Sequence, residues 1–182
     1  HNYEKLLVEL QLDSTITSQE LNTYYEENKD QYRLKSMILR CFFVKLPKDV
    51  EDLSVLQQLW KSEDDEDYTK LVDYCRTNAN VYMLDDSLWY DLPEVTLHLP
   101  KNFLTSSNAY PKRDYNTTDD NFRYFLRIFE TVSEKEYPPP SYIHDQATKV
   151  ILHKRKIKLL EEKKEEMYER ELRRNNVKIY TQ

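Results

Sequence analysis

The chain has 182 residues and none of them is glycine. Every turn must therefore be closed without the residue that most easily reaches positive φ, and Asn, Asp and Pro have to take that role. The same absence excludes any function built on a glycine-rich phosphate loop, so neither a Walker loop nor a dinucleotide-binding fingerprint is available.

Apolar residues make up 39% of the chain and charged residues 33%, enough to build a real core under a heavily solvated or elongated surface. The formal net charge of −6 argues against nucleic acid as a partner. Between His153 and Arg174, nine basic and six acidic residues leave a local +3, so the remainder carries −9. Within "HKRKIKLLEEKKEE" the glutamates offset the lysines, and i,i+4 pairing on a solvated helix face accounts for the pattern. "EDDED", Glu63 to Asp67, is the acidic extreme. Two cysteines, Cys41 and Cys75, are too few for a disulfide framework and match no zinc spacing. No metal and no cofactor is expected. No apolar run approaches the ~20 residues of a membrane span. The chain starts at a histidine, which leaves room for a leader or lipid anchor upstream.

Apolar periodicity predicts a first helix marked by Tyr3, Leu6, Leu7 and Leu10. "ITSQEL" predicts a helix start in which Thr17 caps and Glu20 reaches back to it, with the helix ending near Tyr32. "MILRCFFVKL" reads as a strand buried on at least one face. Asp49 is expected to cap a helix carrying Leu53, Leu56 and Trp60, and Ser62 to open another with Tyr68, Leu71, Val72 and Cys75 on its apolar side. That placement makes Cys75 an inert small hydrophobe. "VYML" and "FRYFLRIFE" read as strands, and the stretch between them as a long irregular region suited to binding. A helix from Ser141 to about Arg174 is expected to bury Ile143, Ala147, Val150, Ile151, Ile157, Leu160, Met167 and Leu172. "VKIY" reads as a terminal strand.

The fold class expected is α+β: a helical lobe formed by the N-terminal helices and the long C-terminal helix, with a small α/β lobe inserted between them. The boundaries are 1–34, 35–137 and 138–182.

By order and spacing the chain resembles the SurA/PrsA type of secreted bacterial chaperone with a parvulin-type peptidyl-prolyl isomerase module. "ITSQELNTYYEENKDQYRL" is similar to the helix preceding that module, "LRCFFVKLP" to its first strand and "FRYFLRIFE" to its last. "PSYIHDQATKVILHKRKIKLLEEKKEEMYERELRRNNVKIY" is similar to the return helix and closing strand. In that family two histidines face each other across the sheet beside a Cys or Asp. Here the first position is Cys41 and the second falls on Phe125, give or take one residue, and His1, His98, His144 and His153 all lie off the matching strands.

The resemblance implies a degenerate, parvulin-like lobe in a periplasmic or cell-envelope protein, binding unfolded or envelope client polypeptides without isomerase activity. Cys41 reads as a packed core residue, since a catalytic thiol needs a base or positive centre to lower its pKa. The client surface is expected between the two lobes, with Trp89, Tyr90, Phe103 and Tyr110 as contacts. The fifteen tyrosines suit either a binding surface or a glycine-free core. The alternative is an active isomerase with an atypical centre, Cys41 supplying the polar group and Phe43, Met83 and Phe103 the proline pocket. A dimer through the long helix is a further alternative, but the gaps at Lys154, Glu161 and Lys164 in heptad register favour a monomer.

Overall fold

The computed structural model describes residues 2–180 and shows a mixed helical and sheet architecture. In chain order the elements are α1 (Asn2–Gln11), α2 (Ser18–Asn28), a 3-10 turn (Lys29–Tyr32), β1 (Ile38–Pro47), α3 (Leu53–Lys61) and α4 (Asp65–Asn78). They are followed by β2 (Val81–Met83), β3 (Tyr90–Asp91), α5 (Leu92–Thr96), β4 (Arg113–Thr118), β5 (Phe122–Val132) and α6 (Pro140–Tyr180). The residues divide into two compact units, one formed by 1–29 with 143–182 and the other by Asp30–Tyr142.

In the first unit α2 starts on a complete capping box. The Thr17 hydroxyl accepts from the Glu20 amide at 3.1 Å, and the Glu20 carboxylate accepts from the Thr17 amide at 3.4 Å. Arg155 of α6 fixes the approach to that helix, donating to the carbonyls of Asp13 and Thr15 at 2.8 Å each and pairing with Glu20. Of the stripe expected on α1, Leu6 is exposed, and the side chains of Tyr3, Leu7 and Leu10 lie outside the described residues.

The helix α6 departs from expectation at its far end. Val177–Tyr180 continue the helix and do not form a strand. Asn175 and Asn176 cost a helix only ~0.7 kcal/mol each relative to Ala, and no Gly or Pro follows to stop it. At ~1.5 Å per residue the 41-residue helix is about 60 Å long. Ile143 and Ala147 are buried, Val150, Ile151 and Leu160 partly so, and Ile157, Met167 and Leu172 are exposed, against the expectation for those three.

The second unit is built on an antiparallel sheet of order β2-β1-β5-β4, with β3 pairing the start of β1. The strands at its centre, β1 and β5, are the two long ones. Alternation along them divides the core. On one face Leu39, Cys41 and Phe43 of β1 and Tyr124, Leu126 and Ile128 of β5 pack with Val95 of α5 and with Leu99, Leu104 and Ala109. On the other, Val44, Leu46 and Phe125 meet Leu56 and Trp60 of α3 and Leu71 and Cys75 of α4. Cys41 and Cys75 therefore belong to opposite faces, and both are buried free thiols.

Helix starts in this unit differ from the expected ones. Asp49 does not cap α3, whose N-cap is Asp52 in a left-handed conformation with no side-chain cap bond. The cap of α4 is Asp64, which accepts from the Glu66 amide at 2.7 Å, while the Ser62 hydroxyl donates to Asp67. Among the described residues four take positive φ: Asp52, Asn102, Lys112 and Lys135. Asp and Asn fill two of the positions a glycine would favour, and lysines fill the other two.

Candidate functional site

The face of the sheet around Cys41 is closed. Cys41, Phe43, Leu126 and Ile128 have no solvent-accessible surface. Burial alone pushes the Cys41 thiol up to about 12. No cation offsets that cost. The neighbouring Arg40 is committed elsewhere, pairing with Glu130 at 2.8 Å, bonding the Asp86 carbonyl and lying over the Trp89 ring at 5.6 Å. A thiol so placed is protonated at neutral pH and is a weak nucleophile.

Phe125, the second expected centre position, is on the other face. Its partner in the β1–β5 register is Val44, whereas Cys41 pairs with Ile128. A β-bulge between Arg40 and Cys41 shifts the register but leaves Leu39, Cys41 and Phe43 on one face. The residues that share Cys41's face on β5 are Tyr124, Leu126 and Ile128.

Phe43, Met83, Tyr90 and Phe103 do gather around Cys41 in one apolar cluster, with Met83, Tyr90 and Phe103 partly exposed at its margin. His98, read in sequence only as lying off the matching strands, stacks on Phe43 with ring centroids 6.1 Å apart. Its position just after the short helix α5 gave no periodic signal. Trp89 and Tyr110 stand outside this cluster. The Trp89 indole donates to the Ser141 hydroxyl at 2.9 Å, which fits a local anchor. Tyr110 is exposed beside Arg113, and its amide donates to the Tyr115 hydroxyl at 2.8 Å.

The opposite face carries an open cleft of about 820 Å³ that no sequence motif announced. Its aromatic part is a set of edge and face contacts around Phe42. Phe129 meets Phe42 edge-on at 4.9 Å, Tyr68 stacks on it at 5.9 Å and Trp60 lies at 6.3 Å. Arg127 lies over the Trp60 ring at 5.1 Å while its guanidinium clamps Asp114 at 2.7 and 3.2 Å. Glu63, Asp64 and Asp65, ahead of and at the start of α4, form one rim, and Lys112 and Arg113, leading into β4, form another. Trp60 is 4% exposed, and its indole N–H has no acceptor among the described residues.

Among the described residues no group of His, Cys, Asp and Glu is arranged to hold a metal ion, and no helix is long and apolar enough to cross a membrane.

No family model and no curated protein matches the chain. A solved structure from Campylobacter jejuni, from work on the virulence factor PEB4 and the periplasmic protein Cj1289 as two structurally related SurA-like chaperones, aligns with 92% of this chain at 10% identity and a TM-score of 0.37. The chain spans 66% of that structure's length. At that TM-score the likeness decides nothing about fold or function.

Proposed function

We propose that this is a chaperone-like protein of the bacterial cell envelope, related to parvulin-type peptidyl-prolyl isomerases, that binds unfolded or partner polypeptides without isomerising them. The observation that carries the reading is the closed face around Cys41. Catalysis of prolyl rotation requires a pocket that favours the twisted amide over a barrier of ~20 kcal/mol. Of the two positions expected to match that centre, Cys41 has no accessible surface and Phe125 is buried in the core of the opposite face, while Phe43, expected in the proline pocket beside Cys41, is likewise inaccessible.

The frame itself favours the family resemblance. The strands similar to the first and last of the isomerase module, β1 and β5, are antiparallel neighbours at the centre of the sheet, and α3, α4 and α5 cover its faces. Within that frame the α/β lobe keeps open, partly aromatic surface while its former centre is filled, an arrangement suited to holding a polypeptide. The test is suppression of aggregation. A chemically unfolded client protein diluted into buffer should aggregate more slowly with a stoichiometric amount of the full chain. An unchanged aggregation rate at tenfold excess contradicts the proposal.

One observation favours the isomerase reading: the stack of His98 on Phe43 brings an imidazole to the face that carries Cys41, Met83 and Phe103. An active centre there needs a proline to enter a cluster whose central residues are inaccessible, so it remains the second reading.

A further inference from the structure

We infer that Asn116 on β4 is a glycan acceptor, N-glycosylated at its side-chain nitrogen by transfer from a lipid-linked glycosyl diphosphate. This rests on the cell-envelope location in the reading above, because transfer from such donors takes place outside the cytoplasm, and it adds a modification site to the α/β unit.

The chain has eleven asparagines, and only Asn116 is followed two places later by Ser or Thr, in Asn116-Thr117-Thr118. The residue between is not proline, which would block the bend that the acceptor has to make. Asp114 stands two places before Asn116, so the segment also completes the longer acid-X-Asn-X-Thr pattern that bacterial transferases of this class accept.

The fold leaves that segment open. β4 is the last strand in the sheet order, and among the described residues it pairs with β5 alone. Alternation puts Asp114, Asn116 and Thr118 on one face, all three exposed, and Tyr115 and Thr117 on the other, both half-buried. Other carboxamides are committed to the fold. Asn28 and Asn78 donate to the Tyr24 and Tyr74 carbonyls at 2.8 and 3.0 Å, and Asn108 accepts from the Thr105 amide at 2.7 Å. Among the described residues neither the Asn116 carboxamide nor the Thr118 hydroxyl has a hydrogen-bond partner. A bulky, solvated glycan at Asn116 therefore breaks no bond that holds the fold.

The step forms a bond between the Asn116 carboxamide nitrogen and the anomeric carbon of the first sugar. The bond from that carbon to the diphosphate oxygen breaks, its electron pair leaves with the lipid diphosphate, and one amide proton passes to a base of the transferase. An amide nitrogen is a weak nucleophile because its lone pair is delocalised into the carbonyl, so the transferase has to hold the segment bent around the acceptor. The folded strand does not offer that shape. At ~3.4 Å per residue Asn116 and Thr118 stand ~7 Å apart along β4, and Asp114 is clamped by Arg127 at 2.7 and 3.2 Å. Transfer therefore precedes the pairing of β4 with β5, and the strand then forms with the glycan projecting from its exposed face.

The experiment exports the full chain through an appended leader in a bacterium that carries an oligosaccharide transferase and its lipid-linked glycan. A secreted protein already known to be modified in those cells is followed beside it. Intact mass should rise by one glycan, and peptide mass spectrometry should place the sugar on Asn116. The increment should be lost in Asn116→Gln and in Thr118→Val and kept in Thr118→Ser, with the far-UV circular dichroism of all three unchanged. An unmodified wild-type chain beside a modified control, or a sugar that persists in Asn116→Gln, overturns the inference. Because the leader is supplied, this arm reads the acceptor whatever the chain's natural compartment. Fractionation of the cells that naturally make the protein reads the location itself. Chain found in the cytoplasm removes the cell-envelope reading, and with it the modification in those cells, even where the exported chain is modified.

Discussion

Cys41 and Phe125 point to opposite faces of the sheet that they share, because Cys41 pairs with Ile128 and Phe125 with Val44. Phe125 therefore does not face Cys41, and the β5 residues that do are Tyr124, Leu126 and Ile128. Cys41 is enclosed by the α5 side of the core, and Phe125 packs against Trp60 at 5.8 Å on the α3/α4 side.

Both thiols should be chemically silent in the native protein. Burial pushes Cys41 and Cys75 up to about 12 each. At pH 8 a disulfide reagent should release no chromophore from the folded chain over a time in which the urea-unfolded chain reports both. Fast labelling of one thiol under native conditions would show an accessible pocket at that site.

Opposite pH arms meet at one hydrogen bond. The Tyr124 hydroxyl donates to Asp119 at 2.7 Å. That bond, with the Asn121 and Phe122 amides, holds the Asp119 carboxyl below its ordinary 3.8. A depressed carboxylate stabilises the fold above its ordinary value, and the contribution is lost as pH falls through the folded value. Tyr124 is raised from 10.0 to about 12, first by burial and then by Asp119. Its contribution is complete below pH 10 and is lost as pH rises toward about 12. Urea titrations across pH should find the acid arm flattened in Asp119→Asn and the alkaline arm flattened in Tyr124→Phe.

Lysine in the left-handed region stores removable strain. Lys135 has φ 71°, and its amide donates to the Leu34 carbonyl at 2.8 Å, so the conformation is held in place. Left-handed backbone costs a residue with a Cβ ~1–2 kcal/mol, and glycine returns ~0.5–1 kcal/mol of that as chain entropy. Lys135→Gly should therefore raise stability by about 0.5–1 kcal/mol in a urea titration. The same change at an exposed position of negative φ, such as Lys158, should lower it.

The helical unit depends on its cap. Thr17→Ala removes the acceptor for the Glu20 amide and should cost about 1 kcal/mol. Hydrogen exchange at the first-turn amides of α2 should rise by roughly fivefold for that loss, since 1.4 kcal/mol corresponds to a factor of ten. Thr17→Ser should restore most of the protection.

Much of the fold was legible because its long elements carry one clean period. β1, β5, α2 and most of α6 follow directly from alternation, the "ITSQ" cap and 3.6-residue spacing. The shorter elements β3, α5 and β4 were read as irregular, since two- to six-residue segments hold too few residues to show a period. β4 also carries "RDYNTT", a polar edge sequence that tertiary pairing with β5 turns into a strand. The candidate sites divide the same way. Phe43, Met83 and Phe103 were grouped with Cys41 from chemistry, and one cluster contains them. The cleft escaped because Phe42, Trp60, Tyr68, Phe129 and Arg127 come from four elements, and only the sheet register brings them together.

Cis–trans exchange of a short Xaa-Pro peptide, measured by NMR with a catalytic amount of the protein, tests the central claim most directly. The account predicts the uncatalysed rate with the wild-type chain and with Cys41→Ala. Acceleration by the wild type that is lost in Cys41→Ala, or in a parallel His98→Ala variant, would make the closed face an active centre and contradict the account.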